Sequence, residues 1–136
     1  MATPEQIVSA EIAATIGALP GIRLWRNNTG RGVVALSPAG AAALQQLVAR
    51  RLARPITFGL PGSTDYVGLG NCKCRECGTA TGRFIGLEVK AEHGRLSEQQ
   101  RRFGEMVQSL GGIWITARTA EAARASVERE LREGGG

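Results

Sequence analysis

The chain has 136 residues, of which 43% are hydrophobic and 21% charged, so it can bury the core of one folded domain. It contains no apolar run of the roughly 20 residues that span a bilayer, and its first residues lack the order of a signal peptide. We therefore expect a cytoplasmic protein of a bacterial or phage-infected host cell, without a membrane partner. The formal net charge of +5 fits a nucleic-acid partner, and equally a soluble protein from an arginine-rich proteome.

The first half of the chain predicts two helices and a short strand. Thr3-Pro4-Glu5-Gln6 has the form of a helix start, because it combines a capping threonine, an early proline and a capping-box glutamine. Apolar residues then recur at helical spacing until Leu19-Pro20-Gly21 ends the helix: Val8, Ile12, Ile16 and Leu19. Residues 22–25 predict a strand, and an alanine- and leucine-rich helix is expected from Ser37-Pro38 to Leu52.

The second half predicts most of a sheet. Strands are expected at 55–60, 65–69, 83–90 and 113–116, with a glycine- and proline-rich turn at 59–64. Ser97-Glu98-Gln99-Gln100 is a second capping box, and the helix it opens has an apolar stripe: Phe103, Met106, Val107 and Leu110. A last helix is expected at 119–131. This order predicts an α/β fold, a mixed β-sheet of about four or five strands flanked by helices. One domain is expected over 1–133, with a cysteine-containing insertion at about 70–82 and a flexible tail at 134–136.

The sequence GLEVK (86–90) places two opposite charges inside an apolar strand. Glu88 and Lys90 share one face of that strand, since side chains two residues apart point the same way. Lys90 is one of only two lysines beside fifteen arginines. An internal salt bridge or the solvent face of an edge strand would explain an isolated pair of this kind.

Asp65, the only aspartate, favours another interpretation. It begins the preceding strand, so its carboxylate could lie beside Glu88. Two adjacent carboxylates repel unless a cation lies between them, and Mg²⁺ or Mn²⁺ suits oxygen ligands. Lys90 could then orient or deprotonate an attacking water, which arginine does poorly because its guanidinium effectively never deprotonates.

These residues resemble the signature of the PD-(D/E)XK nuclease superfamily, and more narrowly a stand-alone VRR-NUC domain. The resemblance extends over nearly the whole chain. It includes the N-terminal helix with its acids and four further segments: LWRNNTG (24–30), FGLPGSTDYVG (58–68), GLEVKAEHGRLSEQQRRF (86–103) and GGIWITARTAEAA (111–123). It implies a restriction-endonuclease-like core and a divalent-metal-dependent DNA endonuclease. The sequence departs from the pattern at Thr64, where the superfamily name has proline.

The resemblance also implies roles for individual residues. Asp65 and Glu88 would be metal ligands with the Val89 carbonyl as a third, and Lys90 would be the catalytic lysine. Gln100 would orient Lys90 or a phosphate, although a capping box also uses this side chain. A first-helix glutamate would reach the metal through water, and Glu5 fits the family spacing better than Glu11.

Arg26 and Asn28 are candidates for substrate contact, because arginine binds phosphate through two donors and asparagine offers both a donor and an acceptor. The turn could instead serve only backbone geometry. Stand-alone family members resemble Holliday-junction resolvases, so branched DNA and a homodimer are the expected partners. The alternatives are a flap-type or less selective DNA nuclease, and a non-catalytic nucleic-acid-binding module.

The cysteines form a dense C-x-C-x-x-C pattern: Cys72, Cys74 and Cys77. Thiolates at this spacing suggest a structural Zn²⁺, and His93, the sole histidine, could be a fourth ligand. A partner subunit, a water or three free thiols are the alternatives. If zinc in this loop were the functional element, the chain would be a zinc-ribbon interaction protein.

Overall fold

A computed structural model describes residues 1–32, 38–52, 56–74 and 76–134. Within these residues, the helices are α1 (Pro4–Gly17), α2 (Pro38–Ala49), α3 (Glu98–Ser109) and α4 (Ala120–Glu133). The strands are β1 (Ile22–Arg26), β2 (Gly30–Gly32), β3 (Ile56–Phe58), β4 (Tyr66–Lys73), β5 (Ala80–Val89) and β6 (Ile113–Ala117). No helix in the described part of the chain is long and apolar enough to cross a membrane. Ser37 and Pro55, where a helix and a strand were predicted to begin, lie outside the described residues.

Four strands form one mixed sheet in the order β1-β4-β5-β6. β1, β4 and β5 pair antiparallel, whereas β5 and β6 run parallel and are connected through α3. The predicted α/β class, with a mixed sheet of about four or five strands flanked by helices, is therefore confirmed. β5 is central, and its residues 85–89 are all buried, as its apolar sequence predicted.

The chain divides into two compact units, residues 1–27 with 62–136 and residues 28–61. The first unit contains the four-stranded sheet with α1, α3 and α4. The second contains α2 and the antiparallel pair β2–β3. The sequence patterns did not predict this division, and the single-domain assignment of 1–133 stays a prediction.

The core of the first unit lies between the sheet and two helices. Ile12 and Ile16 of α1 are fully buried, and they pack with Leu87 and Val89 of β5 and with Val127 of α4. The predicted apolar face of α1 is thus confirmed. The same helix begins as predicted, with both bonds of the capping box formed between Thr3 and Gln6.

The opposite face of the sheet carries Gly86 and Glu88, and α3 contacts this side through a glycine. A Cβ added at Gly104 would lie 2.4 Å from the Trp114 ring, so only glycine lets the helix approach so closely. The apolar stripe predicted for α3 packs only in part. Val107 is buried, but Leu110 is 78% exposed and Met106 is 40% exposed. Together with Phe84 and Phe103 they line a surface groove of about 290 Å³.

The loop predicted to carry the cysteines is mostly regular strand. β4 extends to Lys73 and β5 begins at Ala80, and these two residues are paired in register. The prediction ended this strand at residue 69 and placed a cysteine-containing insertion at about 70–82. The strand continues because its small or apolar residues alternate toward the core, with Gly68, Gly70 and Cys72 all buried.

Candidate active site

Antiparallel pairing of β4 with β5 brings the two predicted metal-binding carboxylates together. Tyr66 pairs with Leu87, so Asp65, one residue before β4, lies next to Glu88. The Asp65 carboxylate is fixed there, because its Oδ2 accepts a hydrogen bond of 2.8 Å from the backbone N–H of Val89. The sequence prediction that an adjacent strand delivers Asp65 to Glu88 therefore agrees with this geometry.

Glu88 is the most unusual ionisable group of the site. Only 1% of its side chain is exposed, and Lys90 Nζ lies 2.7 Å from its Oε1. Burial raises the pKa of Glu88, the nearby charge of Asp65 raises it further, and Lys90 acts in the opposite direction. Ionisable groups whose pKa is shifted by burial and by neighbouring charges cluster at functional sites.

Gln100 contacts both the helix cap and Glu88. Its Oε1 accepts a hydrogen bond of 2.9 Å from the Ser97 backbone N–H, which completes the capping box at the start of α3. Its Nε2 donates to Glu88 Oε1, the oxygen that also contacts Lys90. The amide can do both because one end accepts and the other donates. One side-chain position therefore serves the cap and also contacts Glu88, while orientation of Lys90 or a phosphate by Gln100 stays a prediction.

Buried polar atoms without partners accompany this cluster. Among the described residues, Glu88 Oε2, Thr116 Oγ1 and Trp114 Nε1 are buried and have no hydrogen-bond partner. Thr116 is paired with Glu88 in the β5–β6 register, so two of these atoms belong to neighbouring positions. Buried polar atoms are ordinarily satisfied, and an unsatisfied carboxylate oxygen marks a place for a water or an ion.

A pocket of about 300 Å³ opens beside Asp65. It is lined by the start of α1, the end of β1 and the start of β4, and the lining includes Glu5 and Arg26. Glu5 is therefore the first-helix acid that shares a pocket with Asp65, whereas Glu11 is exposed and is not among the lining residues. Arg26 is exposed where it lines this pocket, and its contact with substrate stays a prediction.

The loop that carries Asp65 is anchored by Asn27, a residue that the sequence interpretation did not single out. Asn27 Nδ2 donates hydrogen bonds of 2.9 Å to Ser63 Oγ and to the Thr64 carbonyl. Its backbone N–H donates to the Asp65 carbonyl at 2.8 Å. Asn27 is the last residue before the chain leaves the first unit, and Ser63 lies just after the chain returns to it. The hydrogen bond between them therefore joins the two segments of the first unit next to Asp65.

The same loop is shaped by Gly62 and Thr64. Gly62 has φ +80°, and a Cβ there would lie 2.5 Å from Cβ of Gln99, so the loop needs glycine to pack against α3. Thr64, which departs from the signature that the sequence resembles, is buried, and its hydroxyl donates a hydrogen bond of 2.8 Å to the Tyr66 carbonyl. The hydroxyl is therefore satisfied at this buried position.

Other predicted site residues are less connected to this cluster. Asn28 is the first residue of the second unit, and its substrate contact stays a prediction. The Val89 carbonyl as a metal ligand also stays a prediction. Arg101 and Arg102 form ion pairs with Glu98 on the exposed face of α3, and these pairs lower the pKa of Glu98.

The cysteines occupy two different environments. Cys72 is buried in β4, and its Sγ donates to the Leu131 carbonyl at 3.1 Å. Cys77 is exposed at the hairpin end, and its hydrogen bonds, with Thr79 first and Cys74 also contributing, lower its pKa to about 7. In the described part of the chain, no three His, Cys, Asp or Glu side chains are grouped as a metal site. A zinc ion held by Cys72, Cys74 and Cys77 stays a prediction.

The Asp65–Glu88 pair does fit a divalent cation, because it offers hard oxygen donors, mutual repulsion and an orphaned Oε2. In comparisons with known proteins, no family model, curated protein or solved structure matched this chain.

Proposed function

We propose that this protein is a divalent-metal-dependent DNA endonuclease, of the VRR-NUC type within the PD-(D/E)XK superfamily, that acts on branched DNA. The observation that carries the proposal is the environment of Glu88. Its buried carboxylate contacts Lys90 and Gln100 through one oxygen, has no partner on the other among the described residues, and lies beside Asp65.

Asp65 and Glu88 would hold the metal ion, with the Val89 carbonyl as a further ligand and Glu5 acting through water. Bound Mg²⁺ or Mn²⁺ would polarise the scissile phosphodiester and acidify a water molecule. Burial raises the pKa of Glu88 and so makes its ionisation costly, and a bound cation is the partner that would keep the carboxylate charged.

Lys90 has a position suited to the reacting phosphate. Its ammonium carries three N–H donors, and one contact is made with Glu88 Oε1 at 2.7 Å. The remaining donors can meet a phosphate oxygen or the attacking water, since 15% of the side chain is exposed. Gln100 holds the shared oxygen from the other side, and it is therefore a positioning residue for both Glu88 and Lys90.

A cleavage panel tests the proposal. The wild-type protein is incubated with a four-way junction, a flapped duplex and a linear duplex, each with Mg²⁺ or Mn²⁺. We expect the junction to be cut fastest and Lys90→Ala to reduce its cleavage rate by about 100-fold or more, the usual contribution of a positioned proton-transfer group. Preference for the flap would favour the alternative nuclease type.

Two further variants separate chemistry from folding. Gln100→Glu retains the cap acceptor but replaces the donor to Glu88 by a carboxylate oxygen, so it should lose activity while α3 stays folded. Arg124→Gln is a matched control, because Arg124 pairs only with Glu128 on α4 among the described residues. No cleavage by wild type with either cation, or undiminished cleavage by Lys90→Ala, would overturn the proposal.

A further inference from the structure

We infer that the second unit, residues 28–61, is a phosphate-backbone-binding module for duplex DNA, and that Arg50 and Arg51 at the end of α2 are its principal contacts. The inference depends on the proposed function for the identity of the polyanion. The two features that support it lie outside the active site: the positive charge of the unit and the left-handed backbone at Arg51.

Nearly all of the net positive charge is concentrated in this unit. Residues 28–61 contain four arginines, Arg31, Arg50, Arg51 and Arg54, and no acidic residue, which gives them four of the five net charges. The other 102 residues hold 13 basic and 12 acidic side chains and are nearly neutral. Three arginines of the first unit form ion pairs on helix surfaces, namely Arg101, Arg102 and Arg124, whereas the second unit contains no acid to pair with its own arginines.

Two of these arginines, Arg50 and Arg51, are exposed at the end of α2, and one of them has an unfavourable backbone conformation. The N–H of Leu52 donates to the Leu47 carbonyl at 2.8 Å, and that of Arg51 donates to the Val48 carbonyl at 3.0 Å. This is the Schellman ending, in which the residue after the cap adopts a left-handed conformation and is usually glycine. Here that residue is Arg51, with φ +58°, the only described non-glycine residue with positive φ.

An arginine where the backbone favours glycine is a local conflict that needs a compensating function. Arg50 and Arg51 are both exposed, so burial does not explain them. Arginine is the side chain that binds phosphate oxygens through two parallel donors. Phe58 is the only aromatic residue of the unit, so the unit lacks the stacking surfaces typical of single-strand binders. These features favour the backbone of a duplex.

The test measures binding in a protein that cannot cleave. Fluorescence anisotropy with a labelled linear duplex gives Kd at several salt concentrations for Glu88→Gln, alone and combined with Arg50→Gln and Arg51→Gly. If each arginine neutralises one phosphate, the double change makes the slope of log K against log salt less steep by about 1.8. At 0.1 M salt the same relation gives about an eightfold weaker Kd for each lost contact. Arg124→Gln with Arg129→Gln removes the same charge from α4 and should leave the slope unchanged.

Arg51→Gly distinguishes binding from a structural role, because the two predict opposite results. Glycine relieves the left-handed conformation, so the Tm should rise while the affinity for DNA falls. An unchanged Kd in this variant, or an equal loss in the α4 control, would overturn the inference. Binding is measured here without cleavage, so the two proposals can fail separately. If the wild type cut no DNA but the arginine variants still lost affinity, the proposed function would be refuted and the binding role of the second unit would be supported.

Discussion

Replacement of Asn27 by alanine should destabilise the first unit and displace Asp65. The substitution removes the two hydrogen bonds that Nδ2 donates to Ser63 and Thr64, and it keeps the backbone bond to the Asp65 carbonyl. A net contribution of about 1 kcal/mol for each bond gives a loss of about 2 kcal/mol in the free energy of unfolding. Asn27→Asp keeps the side-chain volume but replaces the donating nitrogen by oxygen, so we expect a loss at least as large.

The adjacent asparagine provides the matched control for this prediction. Asn28 is exposed and belongs to the second unit, so Asn28→Ala should leave the stability of the first unit unchanged. Urea unfolding followed by tryptophan fluorescence measures the right unit, since Trp25 and Trp114, the two tryptophans, both lie in it.

Activity provides a second measurement on the same variants. A carboxylate misplaced by about 1 Å can cost about 100-fold in rate, so kcat of Asn27→Ala should fall by up to that factor under conditions where the protein is folded. If the unfolding free energies of Asn27→Ala and Asn28→Ala agreed within about 0.5 kcal/mol, the proposed anchoring of the loop would be refuted.

Two further predictions follow from the pKa shifts. Because the folded state raises the pKa of Glu88 above its ordinary 4.5, wild-type stability should decline as pH rises from that value through the raised pKa. The free energy of unfolding of Glu88→Gln relative to that of wild type should therefore increase with pH in this window. An advantage of the variant that grew toward low pH would contradict this. Mn²⁺ should raise the Tm of wild type and leave that of Glu88→Gln unchanged. The alkylation rate of Cys77 should have its midpoint near its pKa of about 7, and Thr79→Val should shift the midpoint upward while buried Cys72 stays unreactive. A midpoint unaffected by Thr79→Val would show that the hydrogen bond to Thr79 is not the main cause.

The local signals in the sequence were sufficient for the helices and for the carboxylate pair. Both capping boxes form with the predicted partners, because their bonds join residues only three positions apart. Asp65 and Glu88 could be placed together because antiparallel neighbours in a sheet bring distant sequence positions into register. The apolar period of α1 likewise identified its buried face.

The remaining features depend on tertiary contacts that no local pattern encodes. Asn27 and Asn28 are adjacent residues of the same type. Only the tertiary structure determines that Asn27 is the one that forms hydrogen bonds with the loop before Asp65. The exposed stripe of α3 shows the same limit, since its spacing is typical of a buried face while Leu110 is largely exposed. The left-handed backbone at Arg51 could not be predicted because the sequence there offers no glycine or asparagine.

The composition of residues 28–61 has a consequence for how the protein responds to acidity. Arginine is the only ionisable side chain in this unit, which has no His, Cys, Tyr, Lys, Asp or Glu. Arginine stays protonated up to a pH of about 12, so the charge of the unit is constant over the range in which proteins are studied. The proposed binding of this unit to DNA should therefore be insensitive to pH, whereas the proposed cleavage should change with pH through Glu88, because burial raises the pKa of that carboxyl. Measurement of Kd and of the cleavage rate over a pH series would therefore distinguish DNA binding by the second unit from cleavage by the first, without any mutation.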